Sequence, residues 1–248
     1  MVELSGVSFG YQSDKNVLDN LNLRMEEGRF YGLLGMNGSG KTTLLKLIAG
    51  KLFAHGGEIY VDGRNLRERD VETLQKVFML PADFIFPNMS LEQFLAIYSE
   101  FYPEFRKEVL NDCLVNFEIQ RDIKNLNQLS LGEKHKVAFS IALSLGTKIV
   151  LLDEAANGMD IPARKMFRKL LMKHVREDQI VVLSTHIVQD IENLLTDVIV
   201  LRKDAPVYAA SLEEIASRYS FGIQSNEEGV LYAEACTEGY HVITHKQE

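Results

Sequence analysis

The sequence predicts an α/β fold built on a mostly parallel sheet, led by an antiparallel β subdomain and interrupted by an α-helical insert. Three observations carry this expectation. Short apolar runs at residues 30–34, 149–152 and 180–183 alternate with stretches of helical periodicity, as strands joined by helical crossovers do. The first of these runs ends in a glycine-rich loop that opens a helix. The segment ahead of it alternates apolar and polar residues with period two, as half-buried antiparallel strands do.

Taken in order, Val2, Leu4, Val7 and Phe9, then Val17, Leu21 and Leu23, read as paired strands with a turn near Ser13-Asp14-Lys15. Residues 30–34 form a strand closed by Gly35, and residues 41–49 a helix with Gly50 as its C-cap. Strands follow at 58–61 and 77–80. Residues 90–117 read as helical, opened by a capping box of Ser90 and Gln93 and divided by Pro103. A helix over 130–145 leads into the strand 149–152, which ends in Asp153-Glu154. A helix over 163–175 and the strand 180–183 come next. Beyond residue 211 the pattern weakens to a short helix, a weak strand pair that includes 229–233, and an irregular polar end at 245–248. The expected division is one unit over 1–210, with the helical insert at about 83–145, and a small extension over 211–248 to which no chemistry is assigned.

Composition narrows the function classes. At 248 residues, 46% hydrophobic and 25% charged, the chain can bury a substantial core and is not of disordered type. A net charge of −8 without a Lys/Arg cluster argues against nucleic acid as a partner. Cys113 and Cys236 lie far apart without metal-like spacing, so neither a zinc site nor a disulfide framework is expected, and a reducing cytoplasm fits. The first residues lack the basic and apolar regions of a signal peptide. The most apolar stretches, 137–145 and 149–152, are split by Gly146-Thr147-Lys148 and are too short to cross a bilayer, so membrane association would run through a partner. No internal repeat is present, which excludes two tandem nucleotide units in this chain.

The strongest local signal is Gly35-Met36-Asn37-Gly38-Ser39-Gly40-Lys41-Thr42, which fits G-x-x-x-x-G-K-[ST] between a predicted strand and helix. Glycines let backbone N–H groups close on phosphate oxygens, the helix N-terminus adds positive potential, Lys41 neutralises charge and Thr42 can ligate Mg²⁺. The phosphate-binding set is therefore Gly35, Asn37, Gly38, Ser39, Gly40, Lys41, Thr42 and the adjoining Thr43. The carboxylates ending the strand 149–152 lie where ligands bind in parallel sheets. Asp153 suits Mg²⁺, alone or through water, and Glu154 can polarise the water that attacks a γ-phosphate.

These parts fit many phosphoryl-transfer proteins, nucleotide kinases included. Leu129-Ser130-Leu131-Gly132-Glu133, opening a helix just before the acidic strand, resembles the signature of ATP-binding-cassette (ABC) ATPases, usually LSGGQ. The order of Tyr11, the phosphate loop, the helical insert, this signature, Asp153-Glu154, Asn157-Gly158-Met159-Asp160 and Thr185-His186 is similar to that family over residues 2–210.

The resemblance implies an ATP-binding, ATP-hydrolysing subunit that uses Mg²⁺. Tyr11 would stack on adenine; as a lone residue it reads equally as a core tyrosine. Ser130 and Gly132 would touch the γ-phosphate of nucleotide held by the opposite subunit, although Ser130 and Glu133 also form an S-x-x-E capping box. Asp160 would link the two sites across the dimer, and His186 would contact the γ-phosphate and hold Glu154 or the water. The implied partners are a separate transmembrane permease, contacted around 82–90 and the helical insert, and a second ATP-binding subunit, in the simplest case an identical chain. The implied location is the cytoplasmic face of a membrane, and the pattern is closer to exporter-type than importer cassettes. A soluble cassette ATPase acting in assembly or regulation is the alternative.

The sequence also departs from the family. Ala82 stands where a glutamine is usual and cannot offer an amide, leaving neighbouring Asp83 as a substitute. Leu131 replaces a glycine and Glu133 a glutamine, and Ala155-Ala156 stand where Pro-Thr is common.

Overall fold

The strand segments order themselves by burial. In the computed structural model, which describes residues 1–12, 15–185, 191–203 and 205–246, β1 (Val2–Phe9) pairs antiparallel with β2 (Leu18–Met25). The apolar alternation of β1 shifts by one residue between Leu4 and Val7. The pairing with β2 shifts register over the same interval, at Gly6 (φ +61°), so the bulge keeps Val7 and Phe9 facing inward. β4 (Gly56–Val61) pairs on the other side of β1, and the short β5 (Arg64–Asn65) completes a four-stranded antiparallel sheet.

The second sheet has six strands in the order β10-β9-β3-β8-β7-β6. β3 (Arg29–Gly35), β6 (Val77–Leu80), β7 (Ile149–Asp153), β8 (Ile180–Ser184) and β9 (Asp197–Leu201) run parallel to their neighbours; β10 (Tyr208–Ser211) is antiparallel at the edge. Alternate residues of these strands serve two different cores. Val150, Leu152, Val181 and Leu183 face one cluster with the helices. Ile149, Leu151, Ile180 and Val182 face the other, with α1 (Lys41–Ile48) and the antiparallel strands. Burial on both faces explains the continuous apolar runs of the sequence.

The helices fall where capping residues place them. α1 is followed by Gly50 at φ +65°, just beyond the cap residue Ala49. A short α2 (Val71–Gln75) precedes β6. The insert contains α3 (Leu91–Tyr98), with the Ser90–Gln93 capping box in place, and α4 (Lys107–Asn116), separated around Pro103. α5 (Leu131–Ser144) starts at the Ser130–Glu133 box and is buried along most of its length; α6 (Ile161–His174) starts at Asp160 with Pro162 in its first turn.

Two expectations need correction. β9 and β10 add strands that the sequence reading did not place. The C-terminal residues form α7 (Leu212–Arg218) and three antiparallel strands, β11 (Tyr219–Gln224), β12 (Tyr232–Cys236) and β13 (Gly239–His245), in the order β11-β13-β12. The strand expected at 229–233 thus starts at Tyr232, and of the end expected to be irregular over 245–248 only His245 is paired among the described residues. The turn residues Ser13 and Asp14 lie outside the described residues, as does His186. Among the described residues no helix is long and apolar enough to cross a membrane.

At the N-terminal ends of the parallel strands, Lys76 and Lys148, which precede β6 and β7, converge on Asp62 at 2.8 and 3.3 Å. The Met1 amine joins them, 2.8 Å from Asp62 and 3.1 Å from Glu27. The opposite, C-terminal ends of the same strands carry the candidate site.

Candidate functional site

Three glycines shape the loop between β3 and α1. Gly35, Gly38 and Gly40 take φ values of +152°, +79° and +101°, a region that L side chains rarely adopt. A Cβ on Gly40 would press on Leu18 Cδ2 at 2.9 Å, which fastens the loop to the antiparallel sheet. Lys41 folds over the loop, its Nζ donating to the carbonyls of Gly35 (2.7 Å) and Met36 (3.2 Å). Ser39 is buried, with its Oγ packed inside the loop.

Strand parity places the acids. Asp153 shares the face of Ile149 and Leu151, the face covered by α1, and is 1% exposed. Its Oδ2 accepts a 2.7 Å hydrogen bond from Thr42 Oγ1. The two residues that the sequence assigns to a metal, 111 positions apart, are thus in direct contact. Hard oxygen donors, one of them a carboxylate, fit Mg²⁺ held jointly by a protein and a substrate phosphate. Among the described residues no group of three or more His, Cys, Asp or Glu could hold a metal without such help.

Glu154 breaks the strand. Its φ is +52°, unusual for a residue with a side chain, and its N–H donates to Ser184 O at 2.9 Å while its carbonyl accepts from Asn157 N at 2.9 Å. The chain therefore turns sharply at the C-terminal end of β7, which sets the Glu154 side chain apart from the strand alternation that governs Asp153.

Tyr11 is 62% exposed, so it is not a core residue. Its hydroxyl lies 3.2 Å from Thr43 Oγ1, and its ring meets Phe9 edge to face at 5.1 Å, which puts an open aromatic surface beside the phosphate loop. Ser130 caps α5: its N–H and Oγ donate to Glu133 Oε2 at 2.9 and 2.6 Å, and its Oγ accepts from Glu133 N at 3.4 Å. These bonds hold the Glu133 carboxyl below its usual range. A Cβ on Gly132 would lie 3.1 Å from Gly158 O, so the start of α5 abuts the loop that contains Asp160. Asp160 itself caps α6, accepting from Ala163 N at 2.9 Å. Ser130 and Leu131 lie on the surface, Leu131 at 64% exposure, and Gly132 is half-buried.

At the departure from the family pattern, Ala82 is half-buried and Asp83 exposed; the Asp83 carboxylate makes no hydrogen bond to Thr42 or Asp153. Sequence reasoning missed His135, which is 4% exposed on α5 and packed against Phe84. Its only sequence signal is a polar residue on the inward face of a helix. Cys113 is fully buried, its thiol pushed up to about 12 by desolvation, and takes no part in the site.

The family model for the ABC transporter matches residues 18–157, from the strand ahead of the phosphate loop to the turn after Glu154. The chain belongs to the ABC transporter family. It is 30% identical over 225 residues to the ABC transporter ATP-binding protein NatA of Bacillus subtilis, covering 87% of this chain and 91% of that protein. It is 28% identical over 220 residues to the ABC transporter ATP-binding protein YtrB of the same organism, covering 88% and 75%. A solved ATP-binding subunit of an ABC transporter superposes with a TM-score of 0.78 over 87% of this chain and 91% of that one, at 24% identity, and so shares the fold. The chain is accordingly an ATP-binding, ATP-hydrolysing protein of the ABC transporter type.

Proposed function

We propose that this chain powers a separate membrane permease by Mg²⁺-dependent ATP hydrolysis in a dimer of ATP-binding subunits at the cytoplasmic face of the membrane. The observation that carries the reading is the 2.7 Å bond between Thr42 and Asp153 beneath the phosphate loop, since it joins the loop to the acid at the end of β7. The unit responsible spans 1–210, with 211–248 appended to it.

The roles follow from position. The N–H groups of the loop and the N-terminus of α1 donate to the nucleotide phosphates, and Lys41 transfers its ammonium from loop carbonyls to phosphate oxygens. Thr42 and Asp153 hold Mg²⁺, which when bound offsets phosphate charge. Glu154 orients and polarises water, and Tyr11 packs on the adenine. Ser130 and Gly132, on the surface of one subunit, complete the phosphate site of the other, with Asp160 at the seam and His186 beside the γ-phosphate. Exposed apolar side chains on and beside the insert, Ile85 (87% exposed), Ile97 and Phe101, supply the face for the permease.

The test is Mg²⁺-ATP turnover by wild-type and Glu154→Gln protein, with size-exclusion chromatography in ATP. The expected result is turnover in the wild type, none in the variant, and an ATP-stabilised dimer of the variant. A variant that turns over at the wild-type rate, or stays monomeric in ATP, would refute the reading.

A further inference from the structure

Away from the candidate site, buried hydroxyls are satisfied by nearby carbonyls. Ser140 and Ser144 donate to Lys136 O at 2.7 Å and Ile141 O at 2.8 Å, and Thr147 donates to Ile149 O at 3.2 Å. Among the described residues two buried hydroxyls have no partner, and both lie at the phosphate end of the central sheet: Ser39 Oγ inside the loop and Ser184 Oγ at the end of β8. An unpaired buried hydroxyl costs stability, so each such group calls for an explanation in function.

Ser184 is 2% exposed and continues the alternation of Ile180 and Val182, so strand parity turns its side chain to the face covered by α1. It is the register partner of Asp153 on β7 and of Leu33 on β3, two residues before Gly35. Partners in a parallel pair carry their side chains on the same face, with the strands about 4.8 Å apart. Rotation about the Cα–Cβ bond of the serine is then enough to bring its hydroxyl to the neighbouring carboxylate. The Asp153 carboxylate is itself buried and accepts one hydrogen bond among the described residues, from Thr42 Oγ1, although its two oxygens have room for more. A buried acceptor with free capacity thus stands beside a buried donor with no acceptor. The backbone of Ser184 already holds the second acid, since its carbonyl accepts from Glu154 N at 2.9 Å.

We propose that Ser184 is a positioning residue of the metal site: with Mg²⁺ and nucleotide bound, its hydroxyl hydrogen-bonds the Asp153 carboxylate, directly or through one water, and fixes the orientation in which that carboxylate serves the metal. Carboxylates that serve a metal are held in this way by outer-sphere donors. The proposal rests on the reading of Thr42 and Asp153 as the pair that holds Mg²⁺. It adds a residue that the sequence motifs do not contain.

The experiment titrates Mg²⁺ against the full chain at a fixed, saturating concentration of AMP-PNP, which resists hydrolysis, and follows the rise in Tm. Wild type, Ser184→Ala, Ser184→Thr and Asp153→Asn are compared, and each is also melted without ligand and with AMP-PNP alone. Ser184→Ala removes a hydroxyl that has no partner to lose, so its Tm without ligand is expected to equal or exceed that of wild type. The Mg²⁺ concentration that gives half of the rise is expected to increase about tenfold, the lower end of what losing an outer-sphere partner does to a metal site. Ser184→Thr keeps the hydroxyl and is expected to recover most of that loss. Should its extra methyl prevent folding, Ser184→Cys, a weaker donor, is expected to fall between alanine and wild type. An unchanged half-point in Ser184→Ala, a lower Tm without ligand, or an equal weakening of AMP-PNP binding with and without Mg²⁺ would overturn the proposal. An unchanged half-point in Asp153→Asn would instead refute the metal assignment of Asp153, and is read independently of the Ser184 variants.

Discussion

Gly35→Ala tests how the phosphate loop is held. Gly35 ends β3 opposite Leu201 of β9, with φ at +152°. An added Cβ would sit 2.5 Å from Leu201 O and 2.5 Å from Ser39 Oγ. The serine can rotate, but the carbonyl belongs to a paired strand and yields only if the ladder opens. Backbone strain of about 1–3 kcal/mol, together with about 1 kcal/mol for a displaced ladder bond, gives a loss of roughly 3 kcal/mol. In a domain of this size that lowers Tm by roughly 6–12 °C. Gly38→Ala is the control: its φ of +79° carries backbone strain, but nothing lies within 4 Å of its Cβ, so the expected loss is only about 1 kcal/mol. Scanning calorimetry with and without ATP measures both variants. Equal Tm values for the two, or ATP stabilisation of Gly35→Ala equal to wild type, would refute the argument that steric contact with β9 sets the loop.

Two further outcomes are expected. Burial alone would raise the Asp62 carboxyl, but Lys76, the Met1 amine and Lys148 together hold it well below its ordinary value of 3.8. Its contribution is therefore present above pH 4 and lost as the pH falls further. Asp62→Asn should cost roughly 2 kcal/mol at neutral pH and should flatten the acid limb of a Tm-against-pH curve, so parallel curves for the two proteins would exclude this account. Tyr11→Ala should raise KM for ATP about fivefold at constant kcat, as the loss of one stacked ring would. An unchanged KM would remove Tyr11 from the nucleotide site.

What was legible in the sequence is what local chemistry decides. The loop 35–42 is specified by residues next to one another, and the boxes at Ser90–Gln93 and Ser130–Glu133 by residues three apart; all are formed. β7 was visible because both its faces are buried. β9 was not: Asp197–Leu201 follows Leu194 and Leu195 after the single residue Thr196, and a short apolar run there reads as helix or strand alike until its pairing with β3 is known. The C-terminal strands are largely exposed, so their alternation is weak. In the site, the Thr42–Asp153 pair followed from the motifs, whereas the approach of Tyr11 to Thr43 and the seat of His135 against Phe84 depend on packing between distant segments.

The division of the central sheet between two cores makes its two faces separable. Because each strand sends Ile149 and Leu151 to one side and Val150 and Leu152 to the other, a substitution is judged mainly by the neighbours on its own side. Substitutions at Val150, Leu152, Val181 or Leu183 are therefore felt first by the helices, and those at Ile149, Leu151, Ile180 or Val182 by α1 and the antiparallel strands. A partitioned interior of this kind lets either side of the sheet be repacked while the other keeps its neighbours.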